Sequence, residues 1–390
     1  MDIEKKSANP EEFEGKKIRV AIVTNILPEY RRDFYKRLFE FRDMDVVVFC
    51  QSAIPGTNLR SIHADFGVRV CEIEYVGLKA ERLGFQKLPW RRLLMDFDIL
   101  FVYGNPRIIS NLILGLLSGL LRRVVVVTGQ LHSAGSSRAF EMVRLAWWSC
   151  FRNLFLYTDA EVGRLKSRKG FRRKTIIGMN NGLNQDSIDA AKRKWGEKRL
   201  GAWRNTNIGA DTMVILSCAR LVRKNGFSLV IDALPDILLR LPKIRWVVIG
   251  DGPEKSRLRQ MAQGRKVSKH IEWIGSIYVE EDLAPWFLSA AVFVHPDCIG
   301  LSLLHSFGYE VPVVTHGDKN FQFPEFAAFE DGSNGVAFKR HDHRSLAHAI
   351  YIAIERREEL RAGTKGATAN YNTRTMAKRF HEICTRASGV

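Results

Sequence analysis

The sequence predicts an α/β protein made of two Rossmann-like, doubly wound domains that face each other across a cleft. Three observations lead to this fold class. Apolar runs of strand length alternate with helical segments, a polar stretch over residues 184–212 interrupts the alternation, and the alternation then starts again. The 390 residues are enough for two or three domains, each with its own core.

The first series of elements begins with residues 17–25, a nearly continuous apolar run of the kind that forms a buried parallel strand. An amphipathic helix follows over residues 31–41. Further strands are predicted at 45–50, 98–104, 124–129, 153–158 and 175–178, with helices at 107–121 and 138–153. Strands separated by helices indicate parallel βαβ units with right-handed crossovers.

The second series repeats this pattern after the polar stretch, which contains one short charged helix. Strands are predicted at 213–218, 246–252, 271–275, 292–296 and 311–316, and the last amphipathic helix covers 371–387. We therefore expect four parts: a polar tail (1–15), an N-terminal domain (16–200), a C-terminal domain (201–370) and a C-terminal helix (371–390). The helix is expected to cross back to the N-terminal domain. Ligands of such sheets bind beyond the carboxyl ends of the strands.

The net charge of +18, from 60 basic and 42 acidic side chains, points to an anionic partner. Residues 101–200 hold 18 of the basic and 6 of the acidic side chains, and seven of the eleven residues in 164–174 are Lys or Arg. With the aromatic helix 138–153 beside it, this segment predicts a surface for an anionic acceptor or membrane, at Arg168, Lys169, Arg172 and Arg173. A core helix with a solvated basic loop remains the alternative. Nucleic acid is not expected, because no motif for it occurs.

The ends and cysteines indicate a cytoplasmic protein, peripheral on the cytoplasmic face of a membrane. Residues 1–17 lack the apolar core of a secretory signal, and the longest uncharged apolar stretch, 108–121, is too short to span a bilayer. The six cysteines are scattered without a C-x-x-C pair, which favours reduced thiols. No metal site is expected.

The most specific stretch is 295–316, where a strand ends at His295-Pro296 and a second strand starts at Val311. Between them Gly300, Leu301 and Ser302 open a helix. The amide groups at a helix N-terminus bind anions, and glycine lets a ligand approach the backbone closely.

This stretch resembles the signature of retaining GT-B-type glycosyltransferases, in particular family 4. The family has two Glu residues separated by seven positions, and this chain has Asp297 and His305 in their places. The resemblance implies that Asp297 lies near the donor sugar and that His305 contacts the nucleotide ribose. Because histidine is not an anionic acceptor, the ribose contact is the part of the pattern that this variant changes.

Further segments resemble the same family. In residues 217–234 the resemblance assigns Arg220 to the donor diphosphate, together with Lys224 or, in the register of the family's lysine, Asn225. It also implies a catalytic histidine after the strand at 124–129, and it makes the carboxylate of the Pro-Glu segment at 324–338 a candidate. The remaining residues that it assigns are His132 as that histidine, Glu325 as that carboxylate, and Gly250, Gly252, Trp273 and Ile274 for nucleotide binding.

The resemblance implies a retaining, metal-independent hexosyltransferase that needs no cofactor. It would move a sugar from a nucleotide diphosphate, UDP-linked first and GDP-linked second, to a glycan or lipid-linked acceptor in surface polysaccharide or glycolipid synthesis. Gly300, Leu301 and Ser302 would join Arg220 and Lys224 at the diphosphate. Two alternatives stay open: a nucleotide-sugar epimerase of the same fold, and a non-catalytic basic membrane-binding protein.

Overall fold

The computed structural model describes residues 15–53, 60–62, 66–67, 69–78, 83–131 and 138–389. Over these ranges the chain forms two parallel β-sheets with helices packed against them, and one two-stranded antiparallel hairpin. In both sheets the first strand lies centrally and the strand order reverses beside it, which is the doubly wound arrangement. The predicted fold class of two Rossmann-like domains is confirmed.

The N-terminal sheet has seven parallel strands. Its strands and the hairpin (β4 and β5) are β1 (Ile18–Val23), β2 (Met44–Cys50), β3 (Val70–Glu72), β4 (Tyr75–Leu78), β5 (Leu83–Gln86), β6 (Ile99–Tyr103), β7 (Val124–Gly129), β8 (Asn153–Leu156) and β9 (Thr175–Gly178). The helices of this half are α1 (Arg32–Phe39), α2 (Trp90–Met95), α3 (Ile109–Leu120), α4 (Arg138–Ser149) and α5 (Asp159–Lys166). The sheet order is β3-β2-β1-β6-β7-β8-β9.

The C-terminal half contains a six-stranded parallel sheet. Its first elements are α6 (Gln185–Lys194), α7 (Glu197–Asn207), β10 (Met213–Cys218), α8 (Ser228–Arg240), β11 (Ile244–Ile249), α9 (Lys255–Gly264), β12 (Ile271–Gly275) and α10 (Glu280–Ser289). The rest are β13 (Val292–Val294), α11 (Leu301–Gly308), β14 (Val313–His316), β15 (Gly335–Phe338), α12 (His343–Glu355), α13 (Arg357–Thr364) and α14 (Thr373–Ser388). The sheet order is β12-β11-β10-β13-β14-β15.

The polar stretch 184–212 contains two helices, α6 and α7, where the sequence suggested one. Helix α6 packs on the C-terminal core, because Ile188 and Ala191 are buried among side chains of α10, α11 and β13. Its amino end is capped by Asn184, whose side chain accepts a hydrogen bond from the Ser187 backbone N–H at 3.2 Å. By packing, therefore, α6 groups with the C-terminal half, although the boundary expected from sequence lies at residue 200.

Helix α14 packs against the N-terminal sheet. Its Phe380 is buried, stacks on Phe101 with ring centroids 4.3 Å apart, and meets Phe34 and Phe155 edge to face. Burial of one such aromatic side chain stabilises a fold by about 2–3 kcal/mol. The last helix of the chain thus completes the core of the first domain.

Candidate functional site

A cavity of about 950 Å³ lies between the two domains, at the carboxyl ends of the C-terminal strands. One wall consists of the loops that follow β10, β11 and β12. The facing wall consists of residues 28–30 and 60–62 of the N-terminal half. Of the residues selected from sequence, Arg220, Gly250 and Gly252 line this cavity together. Its position is the one at which doubly wound sheets bind ligands.

Gly250 and Gly252 bring two strand-end loops into direct backbone contact. A Cβ atom on Gly250 would lie 2.0 Å from the carbonyl oxygen of Ala219, and one on Gly252 would lie 2.3 Å from that of Leu221. Gly250 also has a φ of 143°, a conformation that side chains disfavour. The loops after β10 and β11 can therefore adopt this geometry only with glycine at these two positions. As a result, backbone atoms form this part of the cavity wall.

The loop after β10 carries three exposed cations, Arg220, Arg223 and Lys224. Asn225 is buried, and its Nδ2 donates to the Arg220 carbonyl oxygen at 2.7 Å, which closes the loop. The Lys224 ammonium lies 5.5 Å from the ring centre of Phe323. Asn225 is thus engaged in holding the loop, and Lys224 is the residue of the pair that offers an exposed charge.

Helix α11 begins opposite this loop. Gly300 is its N-cap and provides no side-chain cap, and Leu301 and Ser302 form its first turn. The amides of a first helical turn have no partner within the helix, so they attract anions. A Cβ atom on Gly300 would lie 3.3 Å from Phe323, the same ring that Lys224 approaches. The ring therefore links the helix start to the cationic loop.

Asp297 has hydrogen bonds on both carboxylate oxygens. The Asp318 backbone N–H donates to His316 Nδ1 at 3.1 Å, so His316 Nε2 carries the ring hydrogen and donates to Asp297 Oδ1 at 3.0 Å. Arg340 donates to Oδ2 at 3.1 Å, and the Cys298 backbone N–H donates to Oδ1 at 3.0 Å. Burial alone would raise the pKa of Asp297, but these donors lower it to about 2. The residue is a fixed anion.

His316 and Arg340 are functional candidates that the sequence reasoning missed. His316 is fully buried at the carboxyl end of β14, and the Arg340 guanidinium lies 3.6 Å from the ring centre of Phe321. A polar residue at the end of an apolar strand is the signal that could have identified His316. Arg340 is 43 positions from Asp297, and no local pattern connects them.

His305 lies in a second polar cluster, on α11. Its Nε2 is 2.8 Å from Glu280 Oε1, and the Tyr309 hydroxyl donates to the same oxygen at 2.6 Å. Burial acts to raise the pKa of Glu280, but the hydrogen bond with His305 holds it below its usual value. Glu280 lies two residues beyond Tyr278, which lines the cavity. The sequence reasoning found the histidine and missed this carboxylate beside it.

Trp273 and Ile274 lie on β12 rather than in the described wall of the cavity. Trp273 packs on Trp246 with ring centroids 5.9 Å apart, and Ile274 packs against the C-terminal core. The residues of this part of the chain that do line the cavity follow the strand: Ser276, Ile277 and Tyr278. The two residues selected from sequence thus lie on the strand itself, and the cavity-lining residues follow it.

A hydrogen-bonded chain joins the two domains beside the cleft. Arg31 donates to Asn181 Oδ1 at 3.1 Å and to the Tyr157 hydroxyl at 3.3 Å. Asn181 Nδ2 in turn donates to Glu325 of the C-terminal half. Glu325 is 5% exposed, and burial raises its pKa. Glu325 Oε2 would be 3.7 Å from a Cβ on Gly300, so this series of hydrogen-bonded residues ends beside the start of α11.

The catalytic histidine expected from sequence, His132, lies outside the described residues, as do residues 1–14 of the polar tail. Arg168, Lys169, Arg172 and Arg173 are exposed. Arg168 is 3.4 Å from Glu141 of α4.

The interpretation of Trp147, Trp148 and Phe151 as interfacial residues is wrong, whereas Phe140 is half-buried, with the Arg107 guanidinium 4.6 Å from its ring centre. Trp147, Trp148 and Phe151 are buried, because they fill the space above the sheet. Trp148 Nε1 donates to the Gly104 carbonyl oxygen at 3.0 Å, and a Cβ on Gly104 would overlap the indole. The large apolar side chains of α4 that are exposed are not aromatic: they are Met142 and Val143.

Over the part of the chain that the structure describes, no three His, Cys, Asp or Glu side chains are grouped so that they could hold a metal ion. Over the same residues, no helix is both long and apolar enough to cross a membrane.

Residues 203–369 match the family model described as glycosyl transferases group 1. Among curated proteins, the chain is 26% identical over 176 residues to the alpha-monoglucosyldiacylglycerol synthase of Acholeplasma laidlawii, covering 44% of this chain and 42% of that protein. It is 28% identical over 187 residues to a GDP-mannose-dependent alpha-(1-6)-phosphatidylinositol monomannoside mannosyltransferase of Mycolicibacterium smegmatis, covering 44% and 48%. The chain thus spans less than half the length of these relatives.

Solved structures resemble the whole fold. HepE of Anabaena, in complex with UDP, superposes with a TM-score of 0.68 over 95% of this chain and 100% of that chain, at 14% identity. A glycosyltransferase from Rickettsia africae superposes with a TM-score of 0.70 over 95% and 98%, at 11% identity. Identities this low show a shared fold and no more.

Proposed function

We propose, from the match of residues 203–369 to the glycosyl transferases group 1 and from the two-domain GT-B fold, that the protein transfers a sugar from a nucleotide diphosphate to an acceptor hydroxyl. The observation that carries the proposal is the interdomain cavity. It has Arg220 and two obligatory glycines on its C-terminal wall.

Cations and helix amides would stabilise the departing nucleoside diphosphate without a metal ion. Arg220 and Lys224 are exposed on one loop, and the start of α11 at Gly300 shares the Phe323 ring with Lys224. Positive groups placed where negative charge develops lower the barrier because they need not reorganise during the reaction. Leu301 and Ser302 supply the first amides of that helix.

We propose retention of the anomeric configuration, with Asp297 as an electrostatic group. Its carboxylate is held by His316 and Arg340 and stays ionised at neutral pH, since its pKa is about 2. An anion in this position stabilises an oxocarbenium-like sugar, and the acceptor hydroxyl attacks on the face that the diphosphate leaves. Neither His316 nor Arg340 touches the donor in this scheme. They orient Asp297.

A UDP-linked hexose is the donor we favour, with a GDP-linked hexose second. The fold neighbour HepE was solved with UDP and with UDP-glucose, whereas the Mycolicibacterium relative is named as GDP-mannose-dependent. Glu280 is hydrogen-bonded to His305 and lies two residues beyond Tyr278 of the cavity wall, so this pair is our candidate for the ribose hydroxyls. A glycan or lipid-linked acceptor fits relatives named for diacylglycerol and phosphatidylinositol substrates.

The test compares Arg220→Ala with Arg193→Ala, which removes an exposed arginine of α6. We expect UDP to raise the melting temperature of the wild type, and sugar release from UDP-glucose or UDP-N-acetylglucosamine to fall by about a hundredfold in Arg220→Ala only. Parallel GDP measurements decide the base. No melting shift with either nucleotide, or equal turnover by both variants, would contradict the proposal.

A further inference from the structure

Helix α3 directs its apolar side chains outward. Ile113, Leu116, Leu117 and Leu120 recur at the three- and four-residue spacing of one helix face, and all four are exposed, Leu120 to 79%. A surface helix normally turns such a stripe toward the core and its polar residues toward water. In α3 the apolar stripe is instead exposed to solvent. We call these four residues the outer face of α3.

The inner side of α3 carries the polar residues. Ser110, Asn111 and Ser118 have no exposed surface, and each is held by a local hydrogen bond. Ser110 Oγ accepts from the Gln86 backbone N–H at 2.9 Å, and Ser118 Oγ donates to the Leu114 carbonyl oxygen at 2.6 Å. Asn111 Nδ2 also donates to the Tyr103 carbonyl oxygen at 3.5 Å, so Ser110 and Asn111 tie α3 to β5 and to the end of β6. These two bonds orient the helix, and the outward leucines therefore belong to the folded state.

Neighbouring elements extend the outer face. Leu121 continues it at the end of α3, and Met142 and Val143 of α4 are also exposed. The two helices are close to each other, because a Cβ on Gly115 of α3 would be 3.6 Å from the Trp147 ring of α4. A cluster of exposed apolar side chains of this kind marks an interaction site on a folded protein.

The sequence segment that contains the outer face carries charge of one sign. Between Asp98 and Glu141 the sequence contains no acidic residue, while Arg107, Arg122 and Arg123 flank the two ends of α3. On the far side of α4 lies the basic loop, which Arg168 joins to that helix. Apolar side chains inside a rim of cations are complementary to acyl chains beneath anionic headgroups.

We propose that the outer face of α3 docks on an anionic lipid bilayer, with the leucines at the level of the headgroup and acyl boundary and the arginines at the phosphates. A second copy of the chain fits less well, since a two-fold contact through this face would bring the like-charged rims together. The role of this docking rests on the proposed function, because docking would bring a lipid-linked acceptor to the enzyme. Binding of the outer face to a bilayer does not itself require that function.

The experiment measures co-sedimentation with phosphatidylcholine vesicles that do or do not contain phosphatidylglycerol. The test variant is L116Q/L117Q/L120Q, and the matched control is Leu239→Gln, which changes an exposed leucine of α8. We expect the wild type and the control to bind anionic vesicles, and the triple variant to bind about tenfold or more weakly. A further variant, R122Q/R123Q, should lose affinity for anionic vesicles and little for neutral ones.

Melting temperature with and without UDP separates this inference from the proposed function. Because the substituted leucines are exposed, the triple variant should melt as the wild type does and keep any UDP shift. Equal vesicle binding by triple variant and wild type overturns the docking surface even if UDP binds. A wild-type dimer that the triple variant converts to monomers, without loss of vesicle binding, overturns it in favour of a contact between copies. Vesicle binding without UDP binding leaves it standing and contradicts the proposed function.

Discussion

At the scale of single residues, the site is built from charges whose partners come from distant parts of the sequence. Asp297 is oriented by His316 and Arg340, and Glu325 is reached by Asn181 across the domain boundary. The hydrogen-bond donors around Asp297 lower its pKa and keep it ionised, whereas burial raises the pKa of Glu325 and favours the neutral acid. Opposite pKa shifts therefore predict opposite pH dependences.

The contribution of Asp297 to stability should disappear in acid. Its folded-state pKa of about 2 is below the ordinary value of 3.8, so the stabilisation is fully present above about pH 4 and is lost as the pH falls toward 2. We expect Asp297→Asn to lower the free energy of unfolding by about 2 kcal/mol at neutral pH and by less near pH 3. Denaturant unfolding across this range measures it, with Asp211→Asn at an exposed position as control. A pH-independent difference would contradict the assignment.

Removal of the Asn181 side chain should lower the free energy of unfolding more at high pH than at low pH. Asn181→Ala takes the donor from Glu325, and the cost of a buried carboxylate without a partner is about 1–3 kcal/mol. Because burial raises the pKa of Glu325, the neutral acid is favoured at low pH, and the charged form bears the loss as the pH rises. Unfolding free energies near pH 5 and near pH 8 should show the larger loss at the higher pH. Asn207→Ala, at an exposed residue of α7, should show neither effect, and a loss greatest in acid would refute the prediction.

At the scale of elements, loop geometry depends on contacts between backbones. The turn after β11 packs on the loop after β10 at Gly250 and Gly252, with no space for a side chain. Adding a methyl group at either glycine would displace the loops that form the wall, whereas most surface positions tolerate a substitution of this size.

Gly250→Ala should destabilise the protein by about 2 kcal/mol or more and weaken UDP binding. The new Cβ would overlap the Ala219 carbonyl oxygen, and alanine resists a φ of 143°. The control is Gly264→Ala in α9, where a Cβ meets nothing within 4 Å and helix propensity should add up to about 1 kcal/mol of stability. Thermal unfolding and UDP titration measure both. Similar behaviour of the two variants would contradict the steric argument.

The sequence predicted the positions of helices and strands better than it predicted which side of each helix is buried. Apolar runs identified the long parallel strands, because strands buried on both sides need continuous apolar sequence. The short strands β3 and β15 and the hairpin of β4 and β5 were missed, because none of them lies in an uninterrupted apolar run of five residues, as the equally short β13 does. The orientation of α3 and the burial of Trp147 depend on tertiary packing that composition does not encode.

The candidate site was predictable where its residues are neighbours along the chain. Gly250, Gly252 and Arg220 were selected from local segments and line one cavity. Glu280 and Arg340 were not found, because they are 25 positions from His305 and 43 positions from Asp297, respectively, with no motif between them. Long-range pairs of this kind are set by strand order, which one sequence does not display.

At the scale of the whole molecule, the domains share a core element. Helix α14 follows the C-terminal sheet in sequence but supplies Phe380 to the N-terminal core. Its residues Thr373 and Arg374 also bond to Asp33 and Asp186. The N-terminal domain therefore lacks a complete core until the end of the chain has folded, and the unfolding of the two domains should be coupled.

Phe380→Ala should reduce this coupling. Truncation of a buried aromatic side chain costs about 3–5 kcal/mol, and here the loss falls on the N-terminal domain alone. We expect one calorimetric transition in the wild type and two in the variant, with the N-terminal domain melting first. Lys378→Ala, at an exposed position on the same helix, should keep the single transition. Two transitions in the wild type would show that the coupling is absent from the start.

The chain passes between the domains twice, and the two passages touch. The Thr373 backbone N–H donates to the Leu183 carbonyl oxygen at 3.0 Å, and Gly182 lies so close to Tyr371 that a Cβ would be 2.0 Å from its carbonyl oxygen. Two connections fastened side by side restrict the relative movement of two bodies far more than one tether does. Most directions of rotation would pull the passages apart, and bending about the line they share would not. We therefore expect the domains to move relative to each other mainly by such bending, which opens and closes the cleft.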